Sequence, residues 1–178
     1  MIMNDPLHFS GEEIELVERH LGKSGHMLEW GAGGSTIRFS QLVDRYYSIE
    51  HDRKWYDEVN KEIKKREILN VRIDFVPPNL DQAYDYALDA PILNSDFGIE
   101  LFKDYINHCT TIPSPFDFVL IDGRARKHCI LKVLPFLKKN SLIFFHDFNN
   151  RSYYHEILDK EYKIVDKCDT LAVLSPSV

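Results

Sequence analysis

A cluster of glycines follows a short apolar segment near the start of the chain and constrains the fold more than any other feature. Three of the eight glycines fall within four residues, in the run Trp30-Gly31-Ala32-Gly33-Gly34. A strand pattern over residues 26–30 precedes them, and a helical pattern follows from about Ser35 to Val43. Glycines between a strand and a helix let the backbone approach a ligand closely, and helix N–H groups face that ligand. The run therefore predicts a nucleotide-type binding turn, in which a side chain at Gly31 would fill space that the ligand needs.

Strand and helix patterns alternate along the chain, which is typical of an α/β fold. Ser10 and Glu13 form a capping-box pattern that begins a first helix. The predicted strands cover residues 26–30, a segment that ends at Glu50, and residues 71–75, 116–121, 142–145, 162–165 and 170–174, and later helices are predicted near 99–108, 124–137 and 153–158. The last two strands are close enough to pair antiparallel across a turn. We therefore predict a Rossmann-like, doubly wound, seven-stranded sheet, mostly parallel, with one antiparallel strand near the C-terminus.

Size and composition fit a single domain. The chain has 178 residues, of which 44% are hydrophobic and 28% charged, close to the average for a globular domain. We expect residues 1–178 to form that one domain. Within it, residues 78–114 are predicted to be a loop-rich insertion, and loops of this length are commonly functional. We expect the insertion to cover the active site.

Charge and hydropathy argue against several classes of partner. The formal net charge of -6 gives no general attraction to nucleic acid or to an anionic membrane, so neither is expected as a partner. No apolar stretch approaches the roughly 20 residues that span a bilayer, and Met1 to Ser10 lacks a secretory pattern, so a cytoplasmic location is expected. Cys109, Cys129 and Cys168 are widely spaced, which predicts neither a disulfide nor a zinc site. The oligomeric state stays open.

Two glutamates and one threonine narrow the kind of nucleotide site. Glu50 lies 21 residues after Glu29, at the end of the second strand, where a carboxylate can accept hydrogen bonds from both hydroxyls of a ribose. The alternative for Glu50 is a solvated charge at a strand end. The NAD fingerprint G-x-G-x-x-G would need a glycine at the position of Thr36, so its pyrophosphate-binding form lacks the third glycine.

These motifs resemble those of the class I S-adenosylmethionine-dependent methyltransferases. In that family an acidic residue stands two before the first glycine, as Glu29 does, and another ends the second strand, as Glu50 does. The fourth-strand motif, with Asp at or near its end, is matched by residues 116–123. The runs Ile121-Asp122-Gly123-Arg124 and His146-Asp147-Phe148 are most similar to small O-methyltransferases, including those that modify sugars. The resemblance covers most of the chain, including the closing reversed strand.

The resemblance implies S-adenosylmethionine as cofactor and a set of residues around it. Those implied for its methionine part are Glu29, Gly31, Gly33, Gly34 and Ser35; Glu50 is implied for the ribose, and His51 and Asp52 for the edge of the adenine pocket. Thr36, Asp122 and Gly123 complete the predicted cofactor-binding set.

Asp122, Asp147 and His146 are the predicted catalytic residues. Asp122 and Asp147 close two neighbouring strands and should share one crevice, where a carboxylate can take the proton from an attacking hydroxyl. Two carboxylates could instead hold a divalent cation, Mg²⁺ or Mn²⁺, or each could cap the helix that follows it. His146 follows an apolar run at the mouth of the site, where it is either a base or a satisfied core histidine.

Arginines and tyrosines near these residues are candidates for substrate contact. Arg124 and Arg126 crowd the first turn of a predicted helix, where the helix dipole disfavours cations. An anionic substrate would compensate them, and so would Asp122 and Asp147. The tyrosines that could stack on a ring of the substrate, or pack in the core, are Tyr84, Tyr86, Tyr153 and Tyr154.

The sequence therefore favours an enzyme that transfers a methyl group from S-adenosylmethionine to a hydroxyl oxygen of a small molecule or glycan, and a sugar is the expected acceptor. An NAD-linked oxidoreductase is the alternative enzyme, and Thr36 argues against it. A non-catalytic cofactor-binding module is the other alternative.

Overall fold

The computed structural model describes residues 9–22, 24–79, 96–158 and 160–177. The strands are β1 (His26–Trp30), β2 (Arg45–Glu50), β3 (Val71–Phe75), β4 (Phe116–Ile121), β5 (Leu137–Phe145), β6 (Tyr162–Cys168) and β7 (Leu171–Pro176). The α-helices are α1 (Gly11–His20), α2 (Gly34–Phe39), α3 (Arg53–Lys65), α4 (Asp96–Leu101), α5 (Lys103–Asn107) and α6 (Arg126–Val133). Short 3-10 helices cover Ser40–Leu42, His108–Thr111, Leu134–Phe136 and Ser152–Ile157.

The strands form one seven-stranded sheet in the order β3-β2-β1-β4-β5-β7-β6. Strands β1 to β5 pair in parallel, and β7 runs antiparallel to both β5 and β6. The predicted mostly parallel sheet with one reversed strand is therefore confirmed. Strand order reverses between β1 and β4, and open sheets of this kind bind ligands beyond the carboxyl ends of the strands at such a point.

Several element boundaries differ from the prediction for local reasons. The helix predicted over 124–137 is α6, which begins only at Arg126 because Ala125 adopts a left-handed conformation, with φ of 48°. Strand β5 begins at Leu137, where it pairs with Phe116, five residues before the start of the strand predicted over 142–145. The helix predicted over 153–158 is a 3-10 helix. The capping box of Ser10 and Glu13 at the start of α1 is confirmed.

Alternating side chains of the central strands contribute to two apolar layers, one on each face of the sheet. Leu28 and Trp30 of β1 belong to the layer that includes the insertion helices, and Met27 belongs to the layer beneath α1. Glu29 is also fully buried between these apolar neighbours. A buried carboxyl group needs polar partners, which the chain supplies at the site described below.

The described half of the predicted insertion is helical rather than loop-rich. It contains α4, α5 and the 3-10 turn that follows, where a single helix near 99–108 was predicted. Phe102 and Tyr105 are fully buried, and the indole N–H of Trp30 donates to the backbone oxygen of Tyr105 at 3.0 Å. Among the described residues, helices are too short or too polar to cross a membrane.

Candidate active site

A cavity of about 860 Å³ opens at the carboxyl ends of β1, β2, β4 and β5. The predicted site residues that line it are Gly31, Gly33, Gly34, Ser35, Glu50, His51, Asp52, Asp122, Gly123, Arg124, Arg126, His146 and Asp147. Two other predicted residues, Glu29 and Thr36, do not line it and are fully buried. The topology thus brings four strand ends, distant in sequence, to one ligand-sized crevice.

Gly31 is required by the fold itself. Its φ is +97°, and a Cβ atom there would lie 2.7 Å from the backbone nitrogen of Gly123. The expectation that a side chain at Gly31 would mainly fill ligand space is therefore wrong, because backbone atoms of the loop after β4 are its nearest neighbours. This close approach joins the ends of β1 and β4 beneath the cavity.

Thr36 replaces the third glycine of the dinucleotide fingerprint and takes part in the turn. Its hydroxyl accepts a hydrogen bond from the backbone N–H of Gly33 at 2.9 Å and donates to Glu29 at 2.5 Å. The Gly33 N–H group is thereby directed at the protein. A pyrophosphate would lose that donor, so the arrangement argues against dinucleotide binding of the NAD type.

Glu29 stabilises the glycine turn from the side away from the cavity. Its carboxyl group accepts hydrogen bonds from the hydroxyls of Ser35, Thr36 and Ser48. Burial raises the pKa of Glu29 to about 7, although the hydroxyl hydrogen bonds oppose that rise. The prediction that Glu29 contacts a ligand directly is corrected, because Glu29 and Thr36 lie behind the cavity wall and act on the turn.

The end of β2 presents a well-ordered carboxylate. Glu50 is 2% exposed, and its Oε1 atom accepts hydrogen bonds from the backbone N–H groups of His51 and Asp52, each at 2.7 Å. The Nδ1 atom of His51 lies 2.9 Å from the same oxygen. Asp52 in turn caps α3 by accepting from the backbone N–H of Trp55 at 2.8 Å. Glu50 is therefore a fixed acceptor on the cavity wall and not a solvated charge.

Arg126 holds the two catalytic candidates together. Its guanidinium lies 3.1 Å from Oδ1 of Asp122 and 3.0 Å from Oδ2 of Asp147. It also donates to the backbone oxygens of Gly123, Asp122 and His146. Of the two explanations for Arg126, compensation by the carboxylates is the one that the geometry supports. Arg124 lines the cavity, and its substrate role stays a prediction.

Neither carboxylate caps a helix. The residue before α6 is Ala125, and the residue before the 3-10 helix Ser152–Ile157 is Arg151; neither position carries a side-chain capping bond. The capping explanation for Asp122 and Asp147 is therefore wrong.

A divalent cation does not fit this carboxylate pair. Arg126 spans the oxygens that Mg²⁺ or Mn²⁺ would need, and Arg151 lies 2.8 Å from Oδ2 of Asp147. In the described part of the chain, three ligand-type side chains come within reach of one ion only at Glu12, Cys168 and Asp169, outside the cavity. The alternative that Asp122 and Asp147 hold a divalent cation is therefore not supported.

His146 is enclosed by charged groups. Its Nδ1 atom lies 2.9 Å from Oδ1 of Asp122 and 3.9 Å from Oδ2 of Asp147, and its Nε2 atom lies 3.6 Å from Oε2 of Glu13. Burial lowers the pKa of His146, but the hydrogen bond and the charge of Asp122 outweigh burial, and the pKa is raised. His146 and Asp122 therefore form a coupled pair at the ends of β5 and β4.

Sequence reasoning missed five residues on the cavity wall. They are Phe9, Ala32, Lys54, Trp55 and Glu58. Trp55 lies in α3, and its indole N–H donates to the backbone oxygen of Ala32, which connects α3 to the glycine turn. Trp55 lies in the first turn of α3, close after Glu50, and this position could have indicated that it lines the site. Phe9 gave no such signal, because its contact with the site depends on how α1 packs.

The described part of the insertion and Tyr154 pack beside the site and in the core. No residue from 96 to 114 lines the cavity, although Phe102 and Tyr105 pack edge-on against the ring of His51. A covering role stays a prediction for the rest of the insertion. Tyr154 is buried against Phe145 in the core. Tyr84 and Tyr86 lie outside the described residues.

No protein-family model and no curated protein sequence matches the chain. Solved structures do match it. A methyltransferase-like protein from Silicibacter pomeroyi is 20% identical with a TM-score of 0.73, and the match covers 96% of this chain and 87% of that one. A candidate methyltransferase from Streptococcus mutans, solved in complex with SAH, is 12% identical with a TM-score of 0.61, over 94% and 99% of the two chains.

An rRNA methylase from Streptococcus thermophilus is also similar in structure. It is 10% identical with a TM-score of 0.60, and the match covers 99% of each chain. At these identities the comparisons establish a shared fold, the Rossmann-like fold of methyltransferases, over nearly the whole chain. They give no support to the prediction that nucleic acid is excluded as a partner.

Proposed function

We propose that the chain is an S-adenosylmethionine-dependent methyltransferase that acts on a hydroxyl oxygen. The observation that carries the proposal is the placement of two features in one cavity. The glycine turn and Glu50 line one part of it, and the coupled pair of Asp122 and His146 lines another. A cofactor site and a proton acceptor are the two parts that methyl transfer to a hydroxyl requires.

The donor set suits S-adenosylmethionine better than a dinucleotide. Glu50 offers a fixed carboxylate for paired hydroxyls of a ribose, whichever nucleotide is bound. The Gly33 N–H group, which would serve a pyrophosphate, is already bound by Thr36. A cofactor with a ribose and no phosphate fits both facts, and the related fold from Streptococcus mutans was solved with SAH.

The proposed chemistry is direct transfer with one proton acceptor. When bound, the cofactor supplies a methyl group on a positively charged sulfur. On transfer of that methyl group to the acceptor oxygen, the sulfur would keep the electron pair of the carbon–sulfur bond. Nε2 of His146 would take the proton of the acceptor hydroxyl. Asp122 holds the Nδ1 side of that ring and stabilises the imidazolium that results.

The acceptor that we propose is a sugar hydroxyl of a small molecule or glycan. The cavity walls carry both acidic and basic side chains, which suits a polar, uncharged acceptor. Ribose hydroxyls of RNA are chemically similar, and one structural neighbour is an rRNA methylase. The net charge of -6 disfavours RNA, because nucleic-acid binding depends on basic surfaces that neutralise phosphates.

Two measurements test the proposal. Calorimetry with S-adenosylmethionine, SAH and NAD should show binding of the first two and not of NAD; the opposite result would favour an NAD-linked oxidoreductase. Transfer of a labelled methyl group should then be measured on a panel of mono- and oligosaccharides and on RNA. Binding without transfer to any member would leave a cofactor-binding module, and transfer to RNA alone would overturn the sugar assignment.

A further inference from the structure

Glu13 ties helix α1 to the far edge of the candidate site. The side chain is 2% exposed although it carries a charge. Its Oε1 atom accepts three hydrogen bonds, from the backbone N–H and hydroxyl of Thr170 at 2.9 and 2.7 Å and from the backbone N–H of Leu171 at 3.0 Å. Burying a charge is costly unless it is well bonded, and these contacts offset that cost.

The second oxygen of Glu13 faces His146. Oε2 accepts the backbone N–H of Ser10 at 2.9 Å, as the capping box requires, and lies 3.6 Å from Nε2 of His146. A capping box requires of its glutamate only the bond to the backbone N–H of the N-cap residue, so capping explains neither the burial of Glu13 nor its histidine neighbour. The Glu13 carboxylate therefore has a second contact besides the helix cap, with the ring of His146.

The ring of His146 is bracketed on three sides. Asp122 lies at Nδ1 and Glu13 at Nε2, and the ring of Phe9 lies over its face, with 4.5 Å between centroids. Phe9 is held by the same N-terminal segment, one residue before the helix cap. A histidine whose two nitrogens and one face are all contacted has a single orientation available to its ring.

We propose that Glu13 is a positioning residue for His146, so that α1 and the residue before its cap form part of the methyl-transfer site. This rests on the proposed function, since it assigns a proton to Nε2. The carboxylate of Asp122, 2.9 Å from Nδ1, favours a proton on that nitrogen, which leaves Nε2 to receive the hydroxyl proton. Glu13 then faces the new N–H and its positive charge.

Other charges around the ring support this division of roles. Asp147 and Arg126 also face the Nδ1 side, and Arg126 spans Asp122 and Asp147. That side of the ring therefore carries two carboxylates and one guanidinium. On the Nε2 side, Glu13 is the charged side chain that the described structure places within 4 Å. A carboxylate there stabilises the protonated ring more than the neutral ring.

The test is Glu13→Gln in the full chain, with Thr170→Val as the matched control. Glu13→Gln removes the charge that faces Nε2. Thr170→Val removes one hydrogen bond to the opposite oxygen and leaves that charge in place. We expect kcat for methyl transfer to fall about 10-fold in Glu13→Gln and to stay unchanged in Thr170→Val. The Kd for S-adenosylmethionine should be unchanged in both.

A spectroscopic measurement separates positioning from stability. The ¹⁵N resonance of Nε2 in His146, recorded at one neutral pH, should move toward the unprotonated position in Glu13→Gln and remain in place in Thr170→Val. If Glu13→Gln fails to fold, Glu13→Asp retracts the carboxylate from the ring and should give smaller shifts of the same sign. Wild-type kcat and an unmoved resonance in the Gln or Asp variant would overturn the proposal. Absence of methyl transfer in the wild type would count against the proposed function. The ¹⁵N resonance of His146 would still show whether Glu13 acts on Nε2.

Discussion

A Cβ atom on Gly31 would lie 2.7 Å from the backbone nitrogen of Gly123, so strands β1 and β4 are joined below the cavity by two glycines in contact. On the other side of this contact, a Cβ atom on Gly123 would overlap the hydroxyl of Tyr105. Tyr105 belongs to the insertion and is fully buried. Below the cavity, the ends of β1 and β4 are therefore in backbone contact, and the side chain of Tyr105 from the insertion packs against Gly123.

Replacing Gly31 should damage the fold more than replacing Gly33. Gly31→Ala puts a Cβ into backbone atoms at a positive φ, and we expect it to lower the free energy of unfolding by about 2 kcal/mol or more. Gly33 has an extended φ of -176°, and its added Cβ would lie 3.6 Å from Trp55 in ordinary contact. Gly33→Ala should therefore stay within about 1 kcal/mol of wild type. Urea titration of both variants checks this, and equal losses would contradict it.

Replacing Glu50 should weaken cofactor binding. Glu50→Ala removes a fixed, buried carboxylate, and we expect S-adenosylmethionine to bind about 1 to 3 kcal/mol more weakly because two ribose hydroxyls lose a charged acceptor. Calorimetry measures the change. Glu58→Ala is the control, since Glu58 also lines the cavity but lies on α3 away from the strand ends. Equal affinity in wild type and Glu50→Ala would remove Glu50 from the cofactor site.

The glycine run, the strand alternation and Glu50 could be placed from the sequence because each depends on local pattern and short spacing. The contacts of Glu29 could not, since its partner Ser48 comes from the neighbouring strand β2 and no local signal distinguishes a buried glutamate from a ligand-binding one. The placement of Glu13 and Phe9 beside His146 required the packing of α1 against the β6–β7 hairpin, which links residues more than 150 positions apart. For Arg126 the sequence left two alternatives open, and the structure supports compensation by Asp122 and Asp147, because strand ends and the following helix are close in such a sheet.

Removing the carboxylate of Asp122 should affect turnover and not cofactor affinity. Asp122→Asn keeps the size of the side chain but removes the charge beside His146, and we expect kcat to fall roughly 100-fold with little change in Kd. Asp147→Asn should also lower kcat, because Arg126 would lose one of the two groups it spans. Asp117→Asn is the control, since Asp117 lies near the opposite end of β4 and pairs with Lys138. Full activity in both site variants would show that the chemistry lies elsewhere.

Chelation should leave the activity unchanged. The oxygens of Asp122 and Asp147 are already bound by Arg126, so no metal is needed to neutralise them. Methyl transfer by the enzyme dialysed against EDTA should equal that of untreated enzyme, and added Mg²⁺ or Mn²⁺ should not raise it. Loss of activity on chelation with recovery on metal addition would restore the metal site that the geometry argues against.

The free energy of unfolding should fall as the pH rises, because the buried carboxyl group of Glu29 ionises. Burial raises the pKa of this carboxyl from 4.5 to about 7, so the folded state binds a proton that the unfolded state has released between these values. Stability from this group is fully present below about pH 4.5 and is lost as the pH approaches 7, by up to about 3 kcal/mol in all. Glu29→Gln cannot ionise, so the difference in free energy of unfolding between wild type and this variant should change over that range. A difference that is constant with pH would contradict the assignment.

The pH dependence of turnover should report the coupled pair of Asp122 and His146. A base must be unprotonated to accept the hydroxyl proton, so kcat should rise with pH as His146 loses its proton. Because the hydrogen bond and charge of Asp122 outweigh burial and raise the pKa of His146, the midpoint should lie above the ordinary histidine value of 6.5. Asp122→Asn removes that hydrogen-bonding charge, and the midpoint of its residual activity should therefore move to lower pH. Profiles of kcat from about pH 5.5 to 9 for both proteins make the comparison. A midpoint that stays in place in Asp122→Asn would show that His146 does not carry the proton, and a flat wild-type profile would remove the proposed base from the mechanism.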